Sequence, residues 1–329
     1  MICELEQDDE AFPGTTLYTN PKKGHCIKQT AVYFPPNHGK TSLKLDVILW
    51  IHGFYVDDHK FLFRSDPTRL REQVLGSGKD VVLVAPHLGH EYTDKVTKKF
   101  VGDYDVKDLA TAKWGERYLN QILAAISKFQ NPDAGPQPPM EIGKLIIACH
   151  SGGGVGMRNI VGSLGKYWSN LTACWGFDCL YGANAHPDDA TFWYQWLGKP
   201  DAPALEIVYG PSTLSQSVKL DLIGRGVVTP EGNRAVSPGP RREKLRVTVG
   251  HYDVYMAFGQ VVTVNDLDPA FVDEFMTSVL PSGVSSERKP MESGDFLRQM
   301  IRNARDLPFP EDIHYMIARG GFLSRLGTL

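Results

Sequence analysis

Lys144-Leu145-Ile146-Ile147-Ala148-Cys149-His150-Ser151-Gly152-Gly153-Gly154 is the stretch whose reading decides the fold of this chain. An apolar run with no polar alternation suits a strand buried on both faces of a parallel sheet. It stops at a serine, passes into three glycines and continues with helix-like spacing from Val155 to Leu164. A serine there stands on a sharp corner. Chemistry needs such a corner because a hydroxyl is a weak nucleophile until a base reaches its proton from one side and substrate approaches from the other. The backbone N–H of Gly152 points toward the same space. The residues also fit an N-cap or a plain glycine-rich turn, and such turns can cradle phosphates. Against a phosphate site, there is no G-x-x-x-x-G-K-[ST] and no clean G-x-G-x-x-G after the first strand.

Upstream, Leu45 to Ile51 forms another apolar run that ends in His52-Gly53-Phe54-Tyr55, and Asp80 to Pro86 a third that ends in His87-Leu88-Gly89-His90-Glu91. Between the third run and the serine, Leu119, Ile122, Leu123, Ile126 and Phe129 mark one face of a helix within Leu109 to Phe129. Alternation of apolar runs with helical segments implies a parallel sheet with helices on both faces. Ligands of such sheets bind beyond the carboxyl ends of the strands, where His52, His87 and Ser151 all fall.

Cys149-His150-Ser151-Gly152-Gly153 resembles the nucleophile elbow of the α/β-hydrolase superfamily, with cysteine in place of the first glycine of G-x-S-x-G. The His-Gly pair at Gly53 is a second point of resemblance. The resemblance implies a mostly parallel central sheet flanked by helices, with a helical insertion or lid, and an oxyanion hole formed by the N–H groups of Phe54 and Gly152. It implies no cofactor. His52, Tyr55 and Trp193 are candidate substrate contacts, although His52 alone also fits a hydrogen-bonded strand-end turn, and Trp193, in the aromatic segment Asp189 to Trp196, also fits helix packing.

The acid and the base come later in the chain. Leu171 to Phe177 is an apolar run that delivers Asp178 to the same sheet edge, whereas the next run, Leu205 to Gly210, has no carboxylate just after it. Asp178 is therefore the candidate for orienting a histidine, with a turn-capping aspartate as the alternative. Two histidines remain open as the base. His251 directly follows the last strand, Lys244 to Gly250, and His314 precedes a short terminal segment that the superfamily resemblance makes a closing helix. His314 is preferred, because a strand can run on through His251 to Ala257. His150 is read as structural.

These features divide the chain into an N-terminal segment (1–26), a hydrolase core (27–252), a helical insertion or lid (253–312, with helices near 269–279 and 295–304) and a closing segment (313–329). Phe63 to Leu75 is expected to hold an amphipathic helix ended by Gly76-Ser77-Gly78, and Pro211 to Arg241 to be a surface connection. At 329 residues the chain can bury a large core. A net charge of −3 with mixed signs and no basic stripe gives no reason to expect nucleic acid. No apolar run approaches a membrane span, and the acidic start lacks the features of a signal peptide. Five cysteines without C-x-x-C spacing suggest reduced, buried thiols and a cytoplasmic protein. The His87 to Glu91 loop lacks the helical spacing of a zinc protease, so no metal is expected. The expected activity is metal-independent hydrolysis of a small-molecule carboxylic ester through an acyl-enzyme on Ser151. Amidase, peptidase or acyltransferase chemistry on the same residues is one alternative, and a non-catalytic binding homologue is another. Oligomeric state is not legible.

Overall fold

A computed structural model describes residues 3–39, 43–94, 96–97, 99–132, 140–181, 189–210, 213–226, 228–230, 244–249 and 310–329. The chain forms two compact units, one of Met1–Cys179 with Phe322–Leu329 and one of Leu180–Gly321.

The first unit is built on seven strands: β1 (Leu5–Gln7), β2 (Thr15–Thr19), β3 (Thr30–Phe34), β4 (Lys44–Ile51), β5 (Val82–Pro86), β8 (Glu141–His150) and β9 (Leu171–Phe177). Their spatial order is β1-β2-β3-β5-β4-β8-β9, antiparallel as far as the β3–β5 pair and parallel from β5 to β9. The parallel strands are buried along most of their length, as their uninterrupted Val, Ile and Leu runs require. A separate hairpin, β6 (Glu91–Thr93) and β7 (Phe100–Gly102), branches off after β5. Helices α1 (Phe61–Arg64), α2 (Leu70–Ser77), α3 (Trp114–Gln130) and α4 (Gly153–Ile160) complete the unit, with a 3₁₀ turn at Asp108–Ala110. Phe322, from the C-terminal helix, packs edge-on against Trp50 at 5.2 Å and Phe177 at 6.2 Å between ring centres.

The second unit contains α5 (Asp189–Leu197), α6 (Leu214–Arg225) and the parallel pair β10 (Ala204–Tyr209) and β11 (Leu245–Val249). The C-terminal helix α7 (Pro310–Leu326) belongs to it up to Gly321.

Several expectations are corrected. Within the N-terminal segment, β1 and β2 extend the core sheet, and Cys3 and Cys26 form a disulfide, so the assumption of five reduced thiols fails for these two. Cys149, Cys174 and Cys179 are buried, as expected. The single helix at Phe63 to Leu75 is two, because Asp66 and Pro67 break it and Asp66 Oδ1 instead accepts the N–H of Thr68. Its true terminator is Gly78, left-handed at φ 66°, while Gly76 and Ser77 remain helical. Within the connection 211–241 lies α6. Of the expected insertion at 253–312, residues 253–309, with both of its expected helices, lie outside the described residues, and 310–312 begin α7.

Candidate active site

The sheet is parallel from β5 to β9 and flanked by helices, and its strand–corner–helix unit is β8, Ser151 and α4. Ser151 stands one residue past β8 at φ 56°, a left-handed conformation that costs a non-glycine residue energy and persists only where the surroundings hold it. They do hold it. The Ser151 N–H donates to the Phe177 carbonyl at 3.1 Å, and the Ser151 carbonyl accepts the N–H of Gly154 at 3.1 Å. The glycines are explained by close approach: a Cβ on Gly153 would run into the Ile51 carbonyl, and one on Gly154 into the Cys179 carbonyl. Cysteine is tolerated at position 149 because its neighbour in register on β9 is Gly176.

The loop after β4 comes directly over this corner. A Cβ on Gly53 would lie 2.6 Å from Ser151 Cβ and 3.0 Å from Ser151 Oγ, and one on Gly152 would lie 2.9 Å from the Phe54 ring. The two expected oxyanion donors, the N–H groups of Phe54 and Gly152, thus sit on segments that pack against each other beside the hydroxyl. Gly152 also caps the N-terminus of α4, where helix N–H groups favour negative charge.

His52, a candidate substrate contact, is placed inside the loop. It is buried, with Nδ1 2.5 Å from the Gly53 carbonyl and Nε2 accepting the N–H of Leu88 at 2.8 Å. Both nitrogens are therefore engaged. Burial pulls its pKa down to about 3, so the ring is neutral, with Nδ1–H donating to Gly53. Tyr55 is exposed at the loop's end, at φ 66°, with its N–H on the Glu91 carbonyl at 3.1 Å.

Asp178 occupies on β9 the place that Ser151 occupies on β8, since His150 and Phe177 are paired in register and each is followed by a residue of positive φ, 56° and 43°. Asp178 is buried. Ser151, Gly152, Phe54 and Asp178 are thereby gathered at one edge of the first unit. His150 is buried at the end of β8.

His314 lies in the second unit, inside α7 rather than in a loop before it, half-buried and with Nε2 3.4 Å from the Tyr181 hydroxyl. His251 lies outside the described residues. Trp193 is fully buried in α5, edge-on to Phe192 and Trp196, as the packing reading has it. In the 87–91 loop, His87 Nε2 lies 3.0 Å from the Val56 carbonyl and His90 Nδ1 3.2 Å from Asp57. Among the described residues no group of three or more His, Cys, Asp or Glu could hold a metal ion, and no helix is long and apolar enough to cross a membrane. A cleft of about 450 Å³ lined by Phe34, His38 and Phe129 opens at the opposite edge of the sheet. Sequence reasoning missed Tyr104 and Leu88, which carry no motif and reach the site only through the path of the chain after β5.

No family model matches the chain, and no curated protein matches it. Among solved structures it is similar to a feruloyl esterase module from Clostridium thermocellum complexed with sinapinate (10% identity, 76% of this chain and 87% of that one, TM-score 0.43). It is also similar to an S-formylglutathione hydrolase from Agrobacterium tumefaciens (14% identity, 92% and 99%, TM-score 0.39). A third is an esterase B from Lactobacillus rhamnosis (15% identity, 65% and 72%, TM-score 0.37).

Proposed function

We propose that this protein is a serine hydrolase that cleaves a carboxylic ester of a small molecule through an acyl-enzyme on Ser151. The observation that carries the reading is the corner itself: a serine at φ 56° between a buried parallel strand and a helix N-terminus, with Gly53 pared back beside its side chain and Gly152 under the Phe54 ring. Strain of this kind at a sheet edge marks a position held for chemistry. Ser151 Oγ attacks the ester carbonyl while an imidazole takes its proton, and the oxyanion is met by the N–H groups of Phe54 and Gly152. The imidazolium returns the proton to the leaving alkoxide as the C–O bond breaks. Water then repeats the sequence on the acyl-enzyme and releases the acid.

His314 is our choice for the imidazole and His251 the alternative, with Asp178 holding the ring and stabilising its charged form. An ester is favoured over an amide because its leaving group needs less help. The test is turnover of p-nitrophenyl esters against the matching anilides by wild type, Ser151→Ala, His314→Ala and His251→Ala. Ester hydrolysis abolished by Ser151→Ala and by one histidine substitution supports the reading. Full activity in Ser151→Ala refutes it, and whichever histidine variant keeps wild-type turnover is excluded as base.

A further inference from the structure

The excursion between β5 and α3 takes no part in the chemistry just proposed, yet it is fastened to both halves of the oxyanion hole. Leu88 donates its N–H to His52 Nε2 at 2.8 Å and accepts at its carbonyl the N–H of Asp105 at 2.8 Å. One step outward, the His90 carbonyl accepts the N–H of Asp103 at 2.9 Å, and the His90 N–H goes to the Asp103 carboxylate at 2.8 Å. These bonds lie on either side of Tyr104 and fix its backbone. The approach is close enough that a Cβ on Gly89 would strike the Asp103 carbonyl and one on Gly102 the His90 carbonyl.

From this frame the Tyr104 hydroxyl donates to the His52 carbonyl at 2.9 Å. Its ring meets Phe54 edge-to-face at 4.9 Å and His52 at 5.7 Å. Phe54, in turn, is the ring that fills the space over Gly152. Past Tyr104 the excursion is tied to the elbow helix, where Asn159 Nδ2 donates to the Val106 carbonyl at 2.8 Å. One brace therefore touches the loop that carries the first N–H and the helix that follows the second.

We propose that Tyr104 is a positioning residue for the oxyanion hole, fixing the Phe54 N–H relative to the Gly152 N–H through the His52 carbonyl and the Phe54 ring. The inference rests on the serine-hydrolase reading above. Donors stabilise a developing oxyanion only when they are held in place before the reaction, and a displacement of about 1 Å costs on the order of a hundredfold in rate. The loop needs an external hold because Tyr55 at its end sits at φ 66°. Burial raises the Tyr104 phenol well above its ordinary pKa, so it stays a donor at every working pH.

The experiment compares Tyr104→Phe with Tyr118→Phe, which deletes another buried phenol, one paired with Thr30 Oγ1 at 2.9 Å on α3. Both variants should lose a few degrees of Tm. Only Tyr104→Phe should lose about tenfold in kcat with KM within about twofold, and bind a trifluoromethyl ketone about tenfold more weakly. Tyr104→Ala, which also removes the ring, should lose about a hundredfold. Wild-type kcat and ketone affinity in Tyr104→Phe, or the same losses in Tyr118→Phe, overturn the proposal. Labelling of wild-type Ser151 by a fluorophosphonate separates the two ideas: a labelled protein with a silent Tyr104→Phe sinks the brace alone, and an unlabelled one sinks the hydrolase reading and the brace with it.

Discussion

Replacing Gly53 by alanine puts a methyl group 2.6 Å from Ser151 Cβ, 3.0 Å from Ser151 Oγ and 3.1 Å from the His150 carbonyl. None of these atoms is the far end of a flexible chain, so relief has to come from the loop or from the corner. Van der Waals contact between carbons lies near 3.5 Å or beyond, and the mismatch with Ser151 Cβ is thus about 1 Å. Overpacking of this size costs about 1–3 kcal/mol, which lowers Tm by roughly 5 °C in a domain of this size. The functional cost is larger, because the displaced atoms are the nucleophile and the loop bearing the Phe54 N–H. A shift of that size costs about a hundredfold in kcat/KM. The assay is p-nitrophenyl acetate hydrolysis alongside a thermal melt. Gly39→Ala serves as control, since a Cβ there meets nothing within 4 Å. A Gly53→Ala protein with unchanged kcat/KM and Tm would refute the packing of the loop on the serine.

Three further outcomes follow from the same geometry. Asp178→Asn should keep the fold, since asparagine accepts the positive φ of 43°, and lower kcat by about 10³–10⁴-fold, as the steady-state rate of ester turnover will report. His52 stays neutral in the folded protein down to about pH 3, whereas in the unfolded chain it takes up a proton near 6.5. The unfolded state then binds more protons, so stability is full above pH 6.5 and falls as the pH drops toward 3. Urea titrations from pH 6 to 4 should show wild type losing up to about 1.4 kcal/mol per pH unit more than His52→Asn. The Cys3–Cys26 bridge closes 23 residues of sequence separation, so Cys3→Ser with Cys26→Ser should cost about 3 kcal/mol without changing kcat, read by a melt and by ester turnover.

The central strands and the sharp corner at Ser151 were legible because their signals are local. Continuous Val, Ile and Leu runs announce buried parallel strands, and three glycines after a serine announce a corner. β1 and β2 were not, because they are short, and Leu5–Gln7 reads as polar sequence until the sheet supplies its partner. The disulfide was illegible for a related reason: the spacing of Cys3 and Cys26 matches no motif, and only the course of β1 to β3 brings their Cα atoms to 4.8 Å. For His52 the hydrogen-bonded strand-end turn was legible, but not its partner Leu88, 36 residues away. For Trp193 the packing reading of an aromatic stripe agrees with its full burial in α5. The place of Asp178 was legible as well, since a single carboxylate at the end of an apolar run is bound to arrive at the sheet edge.

The account turns on Ser151 being a nucleophile. Intact-mass and peptide mass spectrometry after treatment with a fluorophosphonate test this directly. One adduct per chain, located on Ser151 and absent from a folded Ser151→Ala protein, is the expected result. A natively folded wild-type protein that takes no label, or takes it on another residue, contradicts it.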